Sequence, residues 1–358
     1  MSHFQDSFET NATGVRVRFE RGVRHEIASE IASLGCSRAL VLSTPQQADT
    51  AMELTSFVNG HAAGVFTKAA MHTPIEVTQE AVEHTRHVEA DCLVAIGGGS
   101  TTGLGKAIAL QTDLPQIVIP TTYAGSEATA ILGQTENGVK TTVTNAKVLP
   151  EVILYDVDLI AGLPVDMTVT SGLNAMAHAA EALYAKNRNP VSNALAVEGI
   201  RAFINALPRV REKPEDLQAR GETLYGAWLC GTVLGQVGMA LHHKLCHTLG
   251  GSFDMPHAQT HAVVLPHAIA FNAKAASDAL SPMASMLGDA KNPGTALYDF
   301  AKKLDAPMTL AELGMKEGDL HRAAELAVKN PYWNPQPFQK SDIHALLENA
   351  FAGERPAG

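Results

Sequence analysis

Residues 92–102 read Cys-Leu-Val-Ala-Ile-Gly-Gly-Gly-Ser-Thr-Thr. An apolar run is stopped by three glycines. A short apolar run bounded by glycine reads as a strand buried on both faces. Leu104 to Leu110 follows with helix-like spacing. Strand, glycine turn and helix together form the unit of a parallel α/β sheet. Glycine lets the backbone approach a ligand closely, and the N–H groups that open the next helix attract an anion. A pyrophosphate is the natural candidate, although a plain glycine turn would leave the same trace. The ordinary GxGxxG fingerprint is absent, so dinucleotide binding here implies a variant mode.

Working outward, Gln116 to Ile119 is a second apolar strand, ended by Pro120. Pro120-Thr121-Thr122-Tyr123-Ala124-Gly125-Ser126 follows it. Hydroxyls and small residues at the carboxyl end of a parallel strand suit a polar ligand, and two such loops on consecutive strands strengthen the dinucleotide reading. Upstream, Val15–Phe19 alternates like an edge strand, and Val23–Leu34 reads as a helix stopped by Gly35. Ala39–Leu42 and Gly64–Phe66 read as strands, and Ile75–Val88 as a helix behind Pro74. From about Asp156 the pattern becomes helical: 166–185, 190–207, 214–234, 236–249 and 260–276. The expectation is therefore an α/β domain over 1–158, Rossmann-like with a parallel sheet, and an all-α domain over 159–358. No internal repeat is visible.

Composition narrows the classes. With 27 Lys and Arg against 37 Asp and Glu, the net charge of −10 disfavours a nucleic-acid partner. Met1–Thr13 is polar and does not resemble a secretory signal. The uncharged stretch 226–241 is short for a bilayer span and reads as a buried helix, so no membrane is expected. Four scattered cysteines fit reduced thiols and a cytoplasmic location.

Of 15 histidines, His242, His243, His247, His257, His261 and His267 fall within 26 residues. His243 and His247 share one helix face, as do Asn174 and His178 on an earlier helix. Any one of these is unremarkable as a core or surface histidine. The group points to a site for metal binding, substrate binding or proton transfer.

These motifs resemble the iron-containing (group III) alcohol dehydrogenase family over nearly the whole chain. The resemblance rests on Gly97–Ser100, Pro120–Thr122, Ser171–His178 and His243-Lys-Leu-Cys-His247 followed by Pro256-His257. It implies the dehydroquinate synthase-like architecture of a dinucleotide domain, a helical domain and a cleft between them. Gly97, Gly98, Gly99 and Ser100 would then hold a pyrophosphate. Thr121, Thr122 and Ser126 would line the adenosine and ribose side. Lys140 would contact the ribose, and His247 would lie near the nicotinamide. The family's metal ligands would fall on Asn174, His178, His243 and His257.

Three departures qualify the likeness. Asn174 stands where the family has an aspartate, which removes the anionic ligand and predicts a site without metal. Gly103 replaces an acid of the phosphate loop. Thr44 replaces the aspartate of NAD-specific members, so NADH and NADPH are both expected as cofactors. Within the family the likeness is closer to members that reduce the C=C bond of an enone carrying a carboxylate at each end. Residues 97–110, 121–142 and 330–337 carry it. There His243 would lead proton transfer, supported by His178, His257 and Lys140. Those histidines and Asn174 would meet a small dicarboxylate, and Asn334 would donate to one carboxylate. A homodimer is the family expectation. The alternatives are a metal-dependent alcohol or polyol dehydrogenase of the same fold, a lyase that uses NAD transiently, and a non-catalytic dinucleotide binder. The dense histidines argue against the last.

Overall fold

The structure, a computed structural model, describes residues 8–10, 14–136, 139–289 and 291–357; the side chains of 8–10, 139 and 140 lie outside that description. The chain divides into two compact units, Met1–Leu163 and Pro164–Gly358.

In the first unit the strands are β1 (Phe8–Thr10), β2 (Arg16–Phe19), β3 (Ala39–Leu42), β4 (Ala62–Phe66), β5 (Cys92–Gly97), β6 (Gln116–Pro120), β7 (Ile131–Glu136), β8 (Val139–Thr144) and β9 (Val152–Tyr155). Its helices are α1 (Ile27–Ser33), α2 (Ala48–Phe57), α3 (Ile75–His87), α4 (Gly99–Thr112) and α5 (Val157–Ile160). The main sheet has the order β1-β2-β9-β6-β5-β3-β4. β1 runs antiparallel to β2, and the other pairings are parallel. β7 and β8 form a separate antiparallel hairpin.

The apolar central strands follow from burial on both faces. Val41, Val94, Ile96, Ile117, Ile119 and Leu154 pack into one core with Ile27, Ile31 and Leu54. Their neighbours Leu40, Leu42, Leu93, Ala95 and Val118 face the opposite core with Val82 and Ile108. Successive side chains alternate across the sheet, so a strand covered on both sides must be apolar throughout. β2 lies nearer the edge and alternates: Val17 and Phe19 are buried, whereas Arg16 and Arg18 reach out to the Glu30 carboxylate at 2.7 and 2.9 Å.

The second unit comprises α6 (Val165–Tyr184), α7 (Pro190–Glu212), α8 (Leu217–Gln236), α9 (Leu241–Phe253), α10 (His257–Asn272), α11 (Ser277–Met286), α12 (Pro293–Lys303), α13 (Leu320–Val328) and α14 (Lys340–Ala352). α6 packs against α7, α8 and α10, and nearly all of its residues from Thr168 onward are buried. Among the described residues no single helix is long and apolar enough to cross a membrane. The four cysteines are free thiols.

Several boundaries differ from the sequence reading. α4 begins at Gly99, because three glycines do not prevent a helix whose first N–H groups need no internal partner. The expected helix 236–249 is instead a break at 237–240 followed by α9, and α8 and α9 meet at 96°. The hairpin β7–β8 was not anticipated, since its strands are polar and half exposed rather than apolar.

Candidate active site

In the first unit the expected nucleotide residues gather at the carboxyl ends of three neighbouring strands. Thr44 follows β3, Gly97–Ser100 follows β5, and Thr121–Ser126 follows β6. Gly97 has φ +155°, and a Cβ there would lie 2.4 Å from Thr101 Oγ1 and 2.8 Å from Gln47 Oε1. Only glycine fits, which keeps the turn tight against α4. Gly98 is the N-cap of α4, and its carbonyl accepts from the N–H groups of Thr101 and Thr102, each at 3.1 Å. No side chain caps this helix end, so its N–H groups and positive dipole end are available to an anion. Thr121 N donates to Gly97 O at 3.0 Å and joins the two loops. The buried hydroxyls of Ser126 and Thr101 have no hydrogen-bond partner among the described residues.

Sequence reasoning missed two residues that hold this frame. Gln47 donates to Thr121 Oγ1 at 2.8 Å. Lys106, on α4, is buried and donates to the carbonyls of Ser126 (2.6 Å), Thr129 (2.6 Å) and Ile131 (2.9 Å). Burial pushes its pKa down to about 7, and the buried Glu127 opposes that shift. Lys140 pairs through its backbone with Thr135 in the hairpin. Its side chain, to which a ribose contact was assigned, lies outside the described residues.

The helical unit brings the other candidates together. Asn174 and His178 are buried one turn apart on α6, and His243 is buried on α9. His178 Nδ1 lies 2.7 Å from His243 Nε2, with ring centroids 4.9 Å apart. His257, the exposed first residue of α10, stacks 4.5 Å from His261, which lies 5.2 Å from His243. His247 is exposed on α9, 6.2 Å from His243. His267 is buried away from this group near Tyr298, and burial lowers its pKa to about 4.

The most consequential residue here was not read from the sequence. Glu181 is fully buried on α6, and its carboxylate accepts from the backbone N–H groups of Ala240 (2.9 Å) and His242 (2.8 Å) and from His243 Nδ1 (2.7 Å). It therefore caps α9 from another helix. Burial alone would raise its pKa, but the His243 hydrogen bond and the surrounding donors bring it down to about 2. The only sequence signal was its place three residues after His178 on an otherwise apolar helix face. His261 was counted in the histidine cluster but given no role of its own. It is buried, and its Nδ1 lies 3.0 Å from His242 Nε2. His242, Cys246 and His261 keep their donor atoms within 4.8 Å of one another. Burial lowers the pKa of His242 to about 3 and that of His261 in the same direction.

One expectation is corrected by geometry. Asn334 was to donate to a substrate carboxylate. Its amide instead donates to Asn272 Oδ1 (2.7 Å) and Gln336 O (2.7 Å), and its Oδ1 accepts from Asn272 at 3.0 Å. Both of its N–H donors are thus spent inside the protein.

A glycine-rich strand–turn–helix in the first unit and a buried imidazole cluster in the second are features that suit a dinucleotide-dependent oxidoreductase. Residues 14–157 match the profile described as iron-containing alcohol dehydrogenase, and residues 168–351 match the C-terminal profile of the Fe-containing alcohol dehydrogenase family. The chain belongs to the iron-containing alcohol dehydrogenase family. It is similar to the maleylacetate reductase of Rhizobium sp. (strain MTP-10005), with 62% identity covering 95% of this chain and 97% of the relative. It is also 53% identical to the maleylacetate reductase of Burkholderia cepacia, over 96% of this chain and 97% of the relative. The crystal structure of maleylacetate reductase from Agrobacterium tumefaciens superposes with a TM-score of 0.93 at 60% identity, covering 99% and 100% of the two chains.

The family match overturns the expectation of a site without metal, because this family is the iron-containing one. The residues fit such an ion. Imidazoles suit iron and zinc, and the buried Oδ1 of Asn174 makes no hydrogen bond among the described residues. The anionic charge that Asn174 does not carry is supplied one bond further out, by Glu181 behind His243. Reasoning from Asn174 alone omitted that carboxylate.

Proposed function

We propose that this chain reduces the C=C bond of maleylacetate with NADH or NADPH to give 3-oxoadipate. The observation that carries this reading is near-full-length likeness to maleylacetate reductases, at 62% and 53% identity, joined to a buried cluster of hydrogen-bonding imidazoles. Hydride leaves C4 of the nicotinamide and bonds to the carbon β to the ketone. The C=C electron pair moves to the carbonyl oxygen as an enolate, and a proton then bonds to the α carbon. One hydride and one proton balance the reduction.

In this reading Gly97–Ser100 bind the pyrophosphate, and Thr121, Thr122 and Ser126 face the adenosine side. Thr44 places no carboxylate where a 2′-phosphate would sit, so either cofactor is accepted. His178, His243 and His257 meet the dicarboxylate and the enolate, because fixed donors aimed at developing charge contribute strongly to catalysis. His243 acts from Nε2, since its Nδ1 is held by Glu181. Iron, when bound, would be held by Asn174, His178, His243 and His257 and would polarise a carbonyl oxygen. A cytoplasmic homodimer is part of the same reading.

The test is oxidation of NADH by the purified protein with and without maleylacetate, with product identification. Rapid, substrate-dependent oxidation yielding 3-oxoadipate is expected. No reaction, together with oxidation of simple alcohols by NAD, would move the chain to an alcohol-dehydrogenase role.

A further inference from the structure

We infer that Glu181 is a positioning residue for the reaction: its buried carboxylate holds His243 by Nδ1, so that Nε2 is the nitrogen that faces the reacting groups. The inference rests on the reading above, that the histidine cluster is the reacting site.

The geometry leaves one consistent pattern. A carboxylate 2.7 Å from His243 Nδ1 can only accept, so Nδ1 carries the proton. In the neutral ring Nε2 is then an acceptor. His178 Nδ1 lies 2.7 Å from that Nε2 and must be the donor. A neutral His178 therefore presents a lone pair at its own Nε2. An ion held by His243 Nε2 would take the place of the His178 hydrogen bond and leave the Glu181 one intact.

Glu181 is itself held firmly. Its oxygens accept from the N–H groups of Ala240, His242 and, at 3.4 Å, His243, which fastens it to the first turn of α9. Tyr184 OH donates to its Oε1 at 3.3 Å, and Asn272 donates to that hydroxyl at 3.3 Å. Asn272 in turn forms the amide pair with Asn334. A continuous hydrogen-bonded chain therefore runs from Asn334 through Asn272, Tyr184 and Glu181 to His243 and His178. Asn334 acts on the site through this chain rather than on the substrate. The groups facing Glu181 are Tyr184 on α6 and His242 and His243 on α9, with Asn272 of α10 behind Tyr184. Outer partners of this kind commonly set the orientation and basicity of an imidazole ligand.

Glu181→Gln tests it. The amide keeps the shape, and its oxygen can still cap α9. With that oxygen on the His242 N–H, its NH2 replaces the Oε2 that faces both Ala240 N–H and His243 Nδ1, and the proton is drawn onto Nε2. Nitrogen-15 spectra of the histidines, recorded on chelator-treated protein so that no ion occupies Nε2, should move the His243 resonances from the Nδ1–H toward the Nε2–H pattern. kcat should fall by about 10²–10⁴-fold, as wrong-tautomer variants of imidazole bases do, with KM changed far less. A flipped tautomer with unchanged kcat would overturn the positioning role. If the variant does not fold, the parent protein still decides: His243 protonated on Nε2 would refute the inference. Failure of the parent protein to reduce maleylacetate would instead sink the functional reading, and the tautomer measurement keeps the two outcomes apart.

Discussion

At the carboxyl ends of β3, β5 and β6, the groups proposed to meet a dinucleotide are main-chain N–H groups and short hydroxyls on glycine-rich turns. In the helical unit the corresponding groups are buried side chains that hold one another: Glu181 holds His243, His243 holds His178, and His242 holds His261. The first construction depends on what is missing, since a Cβ at Gly97 would collide. The second depends on what is charged and where, since the Glu181 carboxylate is buried beside His242 and His261, whose pKa values burial lowers. Backbone sites are vulnerable to bulk, whereas side-chain sites are vulnerable to protons.

The largest expected effect follows from that vulnerability. His242 has a pKa of about 3 in the folded protein against an ordinary 6.5, so the unfolded chain takes up a proton that the folded chain refuses. Its stabilising contribution is complete above pH 6.5 and is lost as pH falls toward 3, amounting to about 5 kcal/mol by then. His261 shifts in the same direction. Glu181 is lowered from 4.5 to about 2, so its contribution disappears over that lower window, about 3 kcal/mol more. Lys106, at about 7 in the folded protein, is charged in both states below pH 6 and adds nothing there. Both tryptophans, Trp228 and Trp333, lie in the helical unit and report on it. Urea unfolding followed by their fluorescence should lose stability steadily from pH 6.5 to 4.5, and His242→Asn should flatten the slope. A parent protein equally stable at both ends of that range would show that the histidines accept protons without unfolding, and the contrast would fail.

Gly97→Ala tests the backbone side. The new methyl would meet Thr101 Oγ1 at 2.4 Å and Thr101 Cβ at 2.9 Å, so the turn or α4 must shift. The N–H groups proposed to receive the phosphates would move with it. NADH affinity, read by fluorescence titration, should weaken by at least about tenfold, roughly 1.4 kcal/mol. Affinity within twofold of the parent would mean that the turn is not the phosphate cradle.

The same contrast explains what could be read from sequence. CLVAIGGGS is legible because a parallel strand buried on both faces must be apolar and a close backbone approach demands glycine. The histidines drew attention by number, and pairs four apart located His178 and His243 correctly on two helices. Glu181 was illegible because its meaning lies across 60 residues of sequence, in the N–H groups of another helix. Lys106 carries no local signal, because its partners are the carbonyls of Ser126, Thr129 and Ile131, beyond the next strand. Asn334 looked available because its partner, Asn272, is 62 residues away. Local pattern reveals backbone requirements, whereas side-chain partnerships appear only when distant elements are brought together.

The smallest expected effect concerns the acid absent from the phosphate loop. Gly103 lies within α4, where alanine would ordinarily gain about 1 kcal/mol over glycine. Here a Cβ would lie 2.4 Å from Thr73 Oγ1. Thr73 cannot retreat easily: it sits at φ +48°, its N–H donates to Ala70 O at 3.2 Å, and its carbonyl accepts from Thr135 N at 3.3 Å. The space that an acidic side chain's stem would occupy is thus filled by a threonine from a neighbouring loop. Gly103→Ala should be neutral or destabilising by about 1 kcal/mol, because overpacking offsets the gain in helix propensity. In a Thr73→Ala background the clash is gone, and the same change should stabilise by up to about 1 kcal/mol. Four proteins unfolded in urea and followed by circular dichroism close the cycle. A coupling near zero would mean that Thr73 does not set the space at Gly103, and the loss of the acid would then need another cause.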